Sequence, residues 1–283
     1  MNPYSPAAFL YANDSNLVQG KPDEASGRLY RFAVFGDSQS GYSGTAVSSK
    51  LAIIVASIEA LSPLPDFLVC VGDAVEEGGI DGLRIWVESL KPLTDKKIPV
   101  YLAKGNHEVF PYDNARQLQK EYQDCFNFPK NGPEGYEDLC YYFGSNDSIF
   151  VCYDSYYFNN MNDKQTMGIT SDQLSWLESV LSADRKFKFV FTHVPEISEE
   201  LQNVLNEKDV AVIFTGHIHV LHSRMLGSTR LIITGGATGT DHYDYPDTYE
   251  CNHYLVVDVY DSSVVINAYR LDGTLLESYN VIR

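Results

Sequence analysis

The chain has 283 residues, 44% of them hydrophobic and 21% charged, and carries a net charge of -17. This is the make-up of a globular protein with room for one large, well-buried core. The negative balance argues against a nucleic-acid polymer or an anionic membrane surface as partner. It leaves room for a small phosphorylated substrate, because bound cations reverse the field locally.

In chain order, residues 1–28 read as a loosely ordered leader rich in Pro, Asn, Ser and Tyr, or as the start of a chain whose signal has been removed. No basic stretch followed by an apolar core marks a signal peptide there, which favours a cytoplasmic over a secreted location. No apolar run approaches the ~18 residues of a membrane helix. Residues 29–283 read as one domain with an irregular insertion at about 109–147. The strand-like run Tyr30–Phe35 leads into Asp37 and Gln39. Ala46–Leu61 reads as a helix, with Val47, Leu51, Ile54, Val55 and Ile58 on one face. Phe67–Val71 leads into Asp73, a short helix is expected over Gly82–Leu90, and Ile98–Ala103 leads into Asn106 and His107. A third helix is expected over Asn114–Cys125, then strands at Tyr141–Phe143 and Ile149–Tyr153. Thr170 and Gln173 match a capping box opening the helix Asp172–Leu181. Phe187–Phe191 leads into His193, and Ala211–Phe214 into His217 and His219. Beyond residue 210 the chain reads mostly as β, with a strand at Leu231–Thr234 and a hairpin of Val264–Ala268 and Thr274–Tyr279 about Asp272-Gly273. The pattern suggests a two-layer β core of mixed sheets with helices outside. Of the five cysteines, Cys70 and Cys152 lie in apolar runs and read as buried thiols, while Cys125 and Cys140 flank the insertion and could be bridged.

The chemistry is in the ordered set of groups just past the β runs. Asp37, Gln39, Asp73, Asn106, His107, His193, His217 and His219 are eight, too many for one ion and about right for two. Loops after successive strands gather at one sheet edge, where α/β folds place their sites. Carboxylate and imidazole suit divalent Mn, Fe and Zn, and Asn and Gln add neutral oxygens. One Asp can bridge two ions, and ions ~4 Å apart can clamp a phosphoryl group and activate a water. Singly, a Gly-Asp is usually a turn and a His-x-His a solvated pair; the order is the signal.

Gly36-Asp37-Ser38-Gln39, Gly72-Asp73, Gly105-Asn106-His107-Glu108, His193 and Gly216-His217-Ile218-His219 resemble the five blocks of the calcineurin-like metallophosphoesterase superfamily. The resemblance implies a four-layer α/β/β/α sandwich of two mixed β-sheets flanked by helices, with a dinuclear metal centre. By position it implies Asp37, Gln39, Asp73 and His219 at a first metal and Asp73, Asn106, His193 and His217 at a second, Asp73 bridging. It also implies hydrolysis of phosphate mono- or diesters by attack of a metal-bridging hydroxide. His107 would stabilise the transferring group or protonate the leaving oxygen.

Three departures narrow the resemblance. Gln39 stands where the family usually has His; a neutral oxygen hardens the first site and favours Mn or Fe over Zn there. This resembles a branch that includes manganese-dependent nucleotide-diphosphate hydrolases. Glu76 replaces the tyrosine of purple acid phosphatases, although Tyr141–Asp154 and Thr192-His193-Val194-Pro195 resemble that branch. Glu77 and Val109-Phe110 stand where protein phosphatases carry phosphate-gripping arginines. Glu76 or Glu77 is a candidate to orient His107, and Glu108 to fix a nearby backbone or ligand. Arg224 and His242 are candidate substrate contacts and His222 a pocket wall, while His253 reads as structural. Tyr156 and Tyr157 read as sheet edges or a base-stacking face, and Asp154 as a strand-end turn or a partner of a ligand histidine. The alternative to an enzyme is a catalytically silent metal- or phosphate-binding protein on the same fold, motivated by Gln39.

Overall fold

Short apolar runs separated by amphipathic segments build two sheets whose parallel strands end on a common edge. The computed structural model describes residues 27–145, 147–158, 165–238, 249 and 251–283. In chain order the elements are β1 (Arg28–Phe35), α1 (Ser49–Glu59), β2 (Phe67–Cys70), α2 (Ile80–Ser89), α3 (Lys91–Thr94) and β3 (Val100–Leu102). Next come α4 (Ala115–Cys125), β4 (Tyr141–Ser145), β5 (Ser148–Cys152), β6 (Tyr156–Phe158), β7 (Gln165–Met167), α5 (Ser171–Leu181) and β8 (Phe187–Phe191). The chain closes with α6 (Glu199–Glu207), β9 (Val212–Thr215), β10 (Leu221–Leu226), β11 (Thr229–Thr234), β12 (His253–Tyr260), β13 (Ser263–Arg270) and β14 (Leu275–Ile282).

One sheet has the order β14-β13-β12-β1-β2-β3 and the other β10-β11-β9-β8-β5-β4. Both are mixed. β1, β2 and β3 run parallel, with β12 antiparallel to β1. In the other sheet β5, β8, β9 and β11 are parallel, and β4 and β10 are antiparallel edges. α1 and α2 bury Leu51, Ile54, Val55, Ile58, Leu83, Trp86 and Val87 in the core of the first sheet. α5 and α6 bury Leu177, Leu181, Leu201 and Leu205 against Ile149, Val151, Val190 and Ile213 of the second. The architecture is the expected α/β/β/α sandwich.

The two-residue period of a strand sends the other side chains of β5, β8 and β9 inward. Phe150, Phe189, Phe191 and Phe214 there meet Phe32 of β1 and Phe67 of β2. Ring centroids lie 5.0 Å apart for Phe32–Phe67, 4.9 Å for Phe67–Phe150 and 5.4 Å for Phe32–Phe189. Polar ties also cross this layer. Tyr30 Oη donates to Ser148 Oγ at 2.5 Å, and Tyr141 Oη meets the main chain of Leu102 at 3.1 Å.

Several expectations shift by a residue or two. β1 starts at Arg28, one residue inside the expected leader, whose first 26 residues lie outside the described ones. Within the expected insertion, α4 and the edge strand β4 stand where a helix and a strand are expected, and Leu118 and Tyr122 of the helix and Tyr141 and Phe143 of the strand are buried in the core. Thr170 caps α5 by accepting from Gln173 N, but the other half of the expected capping box is missing, since the buried Gln173 Oε1 and Nε2 have no hydrogen-bond partner among the described residues. α6 was not anticipated, since it is nine residues long and buries only Leu201 and Leu205; Ser198, accepting from Leu201 N, is its cap. Cys125 and Cys140 are not bridged; both are buried free thiols, as are Cys70 and Cys152. Among the described residues no helix is long and apolar enough to cross a membrane.

A buried ion pair joins the two sheets at the edge where the site loops emerge. Lys104, just past β3, and Asp154, just past β5, are both fully buried, with Nζ and Oδ2 3.1 Å apart. Lys104 Nζ also donates to Tyr156 O at 2.6 Å and Gln119 Oε1 at 3.3 Å. Asp154 therefore holds a lysine and its own turn, through Tyr156 N, not a histidine. Lys104→Met should lower the unfolding free energy by about 3–5 kcal/mol, because a buried carboxylate loses its counter-charge. Lys104→Met/Asp154→Asn should recover part of that loss in urea titration.

Candidate metal centre

The eight groups sit on loops leaving the C-terminal ends of β1, β2, β3, β8 and β9. These loops are tight. Asp37, Asp73, His217 and His219 have φ of 58°, 50°, 75° and 54°, so four of the six described non-glycine residues in the left-handed region are in the candidate set. Such backbone costs of order 1–3 kcal/mol per residue and persists where surrounding contacts dictate it. Two glycines let the loops approach. Gly72, at φ 99°, lies so close to His193 that a Cβ would sit 2.6 Å from its Nδ1. A Cβ on Gly105 would sit 2.3 Å from Asp73 Oδ1.

His193, fully buried, donates from Nδ1 to Val71 O at 2.8 Å, which turns Nε2 toward the other loops. Three atoms converge on that nitrogen: Asp73 Oδ2 at 3.0 Å, Asn106 Oδ1 at 3.1 Å and His217 Nδ1 at 3.2 Å. A single N–H proton cannot satisfy three such neighbours, whereas a cation at their common point can. Asp73, His193 and His217 thus form a cluster able to hold a metal ion. Charge tells the same story. Burial alone would raise Asp73 and lower His193, but each outweighs it for the other. Asp73 is held well below the usual carboxylate range and His193 is pushed up to about 10. Burial and the neighbouring His193 push His217 down to about 4, leaving it a neutral lone-pair donor.

A second group faces the same edge. Asp37 Oδ1 accepts from His217 N at 2.8 Å and lies 3.4 Å from His219 Nε2. Its buried Oδ2 has no hydrogen-bond partner among the described residues. The Gln39 amide nitrogen donates to Asp37 O at 3.0 Å and Asp73 O at 3.1 Å, so its oxygen faces His219 Nε2 at 3.0 Å. Asp37, Gln39 and His219 therefore present oxygens and an imidazole together, with Asp37 Oδ2 as an unpaired acceptor whose lone pairs suit a cation.

The calcineurin-like phosphoesterase family model matches residues 30–221. The chain belongs to the calcineurin-like phosphoesterase family. It is 24% identical over 196 residues to "Probable glycerophosphodiester phosphodiesterase GpdQ" of Arcobacter nitrofigilis, covering 63% of this chain and 65% of that one, just under two thirds of the relative's length. Among solved structures it is similar to the purple acid phosphatase PPD1 of yellow lupin (Lupinus luteus) seeds, with TM-score 0.71, 16% identity, 90% of this chain and 54% of that one covered. It is also similar to GAP50, the anchor in the inner membrane complex of Plasmodium, with TM-score 0.60, 16% identity and 89% and 88% coverage. At such identities the likeness is one of fold.

Within this phosphoesterase fold His107 borders the cluster. Its main-chain N donates to Asp73 Oδ1 at 2.8 Å and its Nδ1 to Glu76 O at 2.7 Å. Burial works against a charged ring, but Asp73 and the Glu76 carbonyl outweigh it, so His107 lies above the usual histidine value. Glu76 therefore orients His107 through its main chain. The two carboxylates point elsewhere, Glu76 to Gly41 N at 2.6 Å and Glu77 to Ser43 Oγ at 2.6 Å, because both groups reach back across the first loop.

Glu108, a candidate from its place after the third block to fix a nearby backbone or ligand, fixes backbone. It is fully buried and accepts from Gly105 N at 2.6 Å, Ala74 N at 2.7 Å and Asp73 N at 3.1 Å. One carboxylate thus ties the loop of Asp73 to that of Asn106; burial and the Asp73 charge push it above the usual carboxylate range. Ser38 likewise joins loops, donating to Ala74 O while accepting from Trp86 Nε1, both at 3.0 Å. Its place between Asp37 and Gln39 was the available signal. Arg224 is not brought to the cluster: it is exposed on β10, three residues, or about 10 Å, along the strand from Leu221 at the site edge. His222 is half-buried on the same strand, His253 is buried with Nε2 3.1 Å from Thr234 Oγ1, and His242 lies outside the described residues.

Glu108→Gln replaces an acceptor facing main-chain N–H groups with a donor. It should lower the unfolding free energy by about 2–3 kcal/mol, read from the midpoint of urea denaturation.

Proposed function

We propose that the chain is a dinuclear metal-dependent phosphoesterase. The observation carrying this reading is the convergence of Asp73, Asn106 and His217 on His193 Nε2 in a member of a phosphoesterase family. Asp37, Gln39, Asp73 and His219 would hold a first divalent ion and Asp73, Asn106, His193 and His217 a second, with Asp73 shared. The neutral Gln39 oxygen favours Mn or Fe over Zn at the first position. When bound, the ions supply Lewis acidity, polarising phosphoryl oxygens and making water acidic enough to furnish a nucleophile near neutral pH.

The chain's own groups do the rest. Asp73 and Glu108 hold the main chain of the loops in place. The Glu76 carbonyl accepts a hydrogen bond from His107 Nδ1–H, which leaves the opposite ring nitrogen for the substrate. As the oxygen of a water that has released one proton to solvent bonds to phosphorus and the bond to the leaving oxygen breaks, His107 Nε2–H gives the leaving oxygen its proton. The substrate is a small phosphate mono- or diester; the glycerophosphodiester phosphodiesterase name of the relative supports a diester. The chain's charge of -17 supports a small ester over a nucleic-acid polymer.

Metal analysis of the reconstituted protein should find near two divalent ions per chain, and Asp73→Asn should abolish hydrolysis of aryl phosphate esters. Two bound ions with every ester intact would instead favour a silent ligand-binding protein. His107→Ala should slow an alkyl ester about 10²–10⁴-fold, and a nitrophenyl ester far less, because nitrophenolate leaves without a proton. Metal uptake must displace the proton that His193 holds up to about 10. Apparent Mn affinity, measured by calorimetry, should therefore rise with pH between about 6 and 8 by up to about tenfold per unit.

A further inference from the structure

Beside the cluster stands a group of rings that none of the family blocks includes. The 3-10 turn His107–Val109 is followed by Phe110 and Tyr112, and Tyr156 of β6 closes the row. The Phe110 ring lies 5.7 Å from the His107 ring and 5.3 Å, edge-on, from Tyr112; Tyr112 lies 6.0 Å from Tyr156. Asn106 turns its oxygen toward His193 and its amide nitrogen outward, where it donates to Tyr112 Oη at 3.5 Å. The Tyr156 ring thus packs beside the Tyr112 ring, at the opposite end of the chain of contacts from Phe110.

A phenol has two acceptor positions and one proton. The Asn106 amide takes one acceptor position of Tyr112. Among the described residues no hydrogen bond uses the Tyr112 proton, on a side chain that is 43% exposed and whose oxygen lies 3.5 Å from the amide of the candidate ligand Asn106. No arginine is among the described residues placed at the cluster. We propose that the Tyr112 hydroxyl, backed by Tyr156 and Asn106, donates to a non-bridging phosphoryl oxygen and that this site prefers singly charged phosphodiesters. This rests on the phosphoesterase reading and deepens it.

The preference follows from charge. A guanidinium gains from each added negative charge on the phosphoryl group, and so rewards a monoester dianion. A phenol donates the same hydrogen bond to a monoanion or a dianion and carries no charge to reward the second.

The test compares the metal-reconstituted chain with Tyr112→Phe and Tyr156→Phe, which keep the rings and remove one hydroxyl each. For wild type, kcat/KM for bis(p-nitrophenyl) phosphate should exceed that for p-nitrophenyl phosphate by about tenfold or more. Tyr112→Phe should lower the diester value by about 10- to 100-fold with metal content unchanged, and Tyr156→Phe should lower it less. Calorimetric titration with dimethyl phosphate should show about tenfold weaker binding to Tyr112→Phe, an expected loss of one hydrogen bond to a charged group. Diester values within twofold of wild type in Tyr112→Phe would overturn the proposal. So would a loss of activity that tracks a loss of metal, since Tyr112 would then act only by steadying Asn106. A wild-type chain that hydrolyses no ester would sink the phosphoesterase reading instead, and the dimethyl phosphate titration would still decide the hydroxyl's role.

Discussion

The Asp73 carboxylate sits in a place that only a cation makes comfortable. It is buried, one oxygen faces the His193 imidazole at 3.0 Å, and the other accepts from the His107 main chain at 2.8 Å. Isolated buried charge is heavily disfavoured, so this carboxylate draws positive charge toward itself. In the chain alone that charge is the proton on His193. The same field makes the position attractive to a divalent ion, and the neutral His217 and the Asn106 oxygen supply further donors. The arrangement of the surrounding loops serves that one group.

Holding it there takes backbone that few residues adopt readily. Four candidate ligands lie in the left-handed region, and Gly72 and Gly105 make room where a side chain would collide with His193 or Asp73. The opposing forces come from the scaffold. An aromatic layer between the sheets anchors the strands from which the loops spring. The Lys104–Asp154 pair ties the sheets together at the same edge, and Glu108 binds the main chain of two ligand loops at once. Stability in the core and precision at the edge are thus coupled through the strand ends.

Much of this architecture is written in local pattern. The strands that feed the site are short apolar runs followed by a polar donor, with a glycine before it after β1, β2, β3 and β9 but not after β8, and each observed strand lies within about two residues of its expected place at the site end. The long helices follow their apolar faces and the Thr170 cap. What escaped were features with weak local signals, such as α6, whose buried face is two leucines, and the core packing of α4 and β4. Donor identities at the cluster were readable because oxygen and imidazole groups recurred in order after β runs. Arg224 was not placed correctly by the same reasoning, because proximity in sequence to His219 says little once a strand carries the chain away at about 3.3 Å per residue.

Residue types and their spacing along one chain therefore settle which groups are available and on which strand ends they ride, since periodicity and turn chemistry act over a few neighbours. They do not settle which atom of each group faces inward. That Glu76 serves through its carbonyl, that Glu108 clasps three main-chain N–H groups and that Tyr112 stands against Asn106 are facts of packing between segments up to 44 residues apart. Such contacts depend on how two sheets stack and where their loops meet, and no local rule encodes that distance.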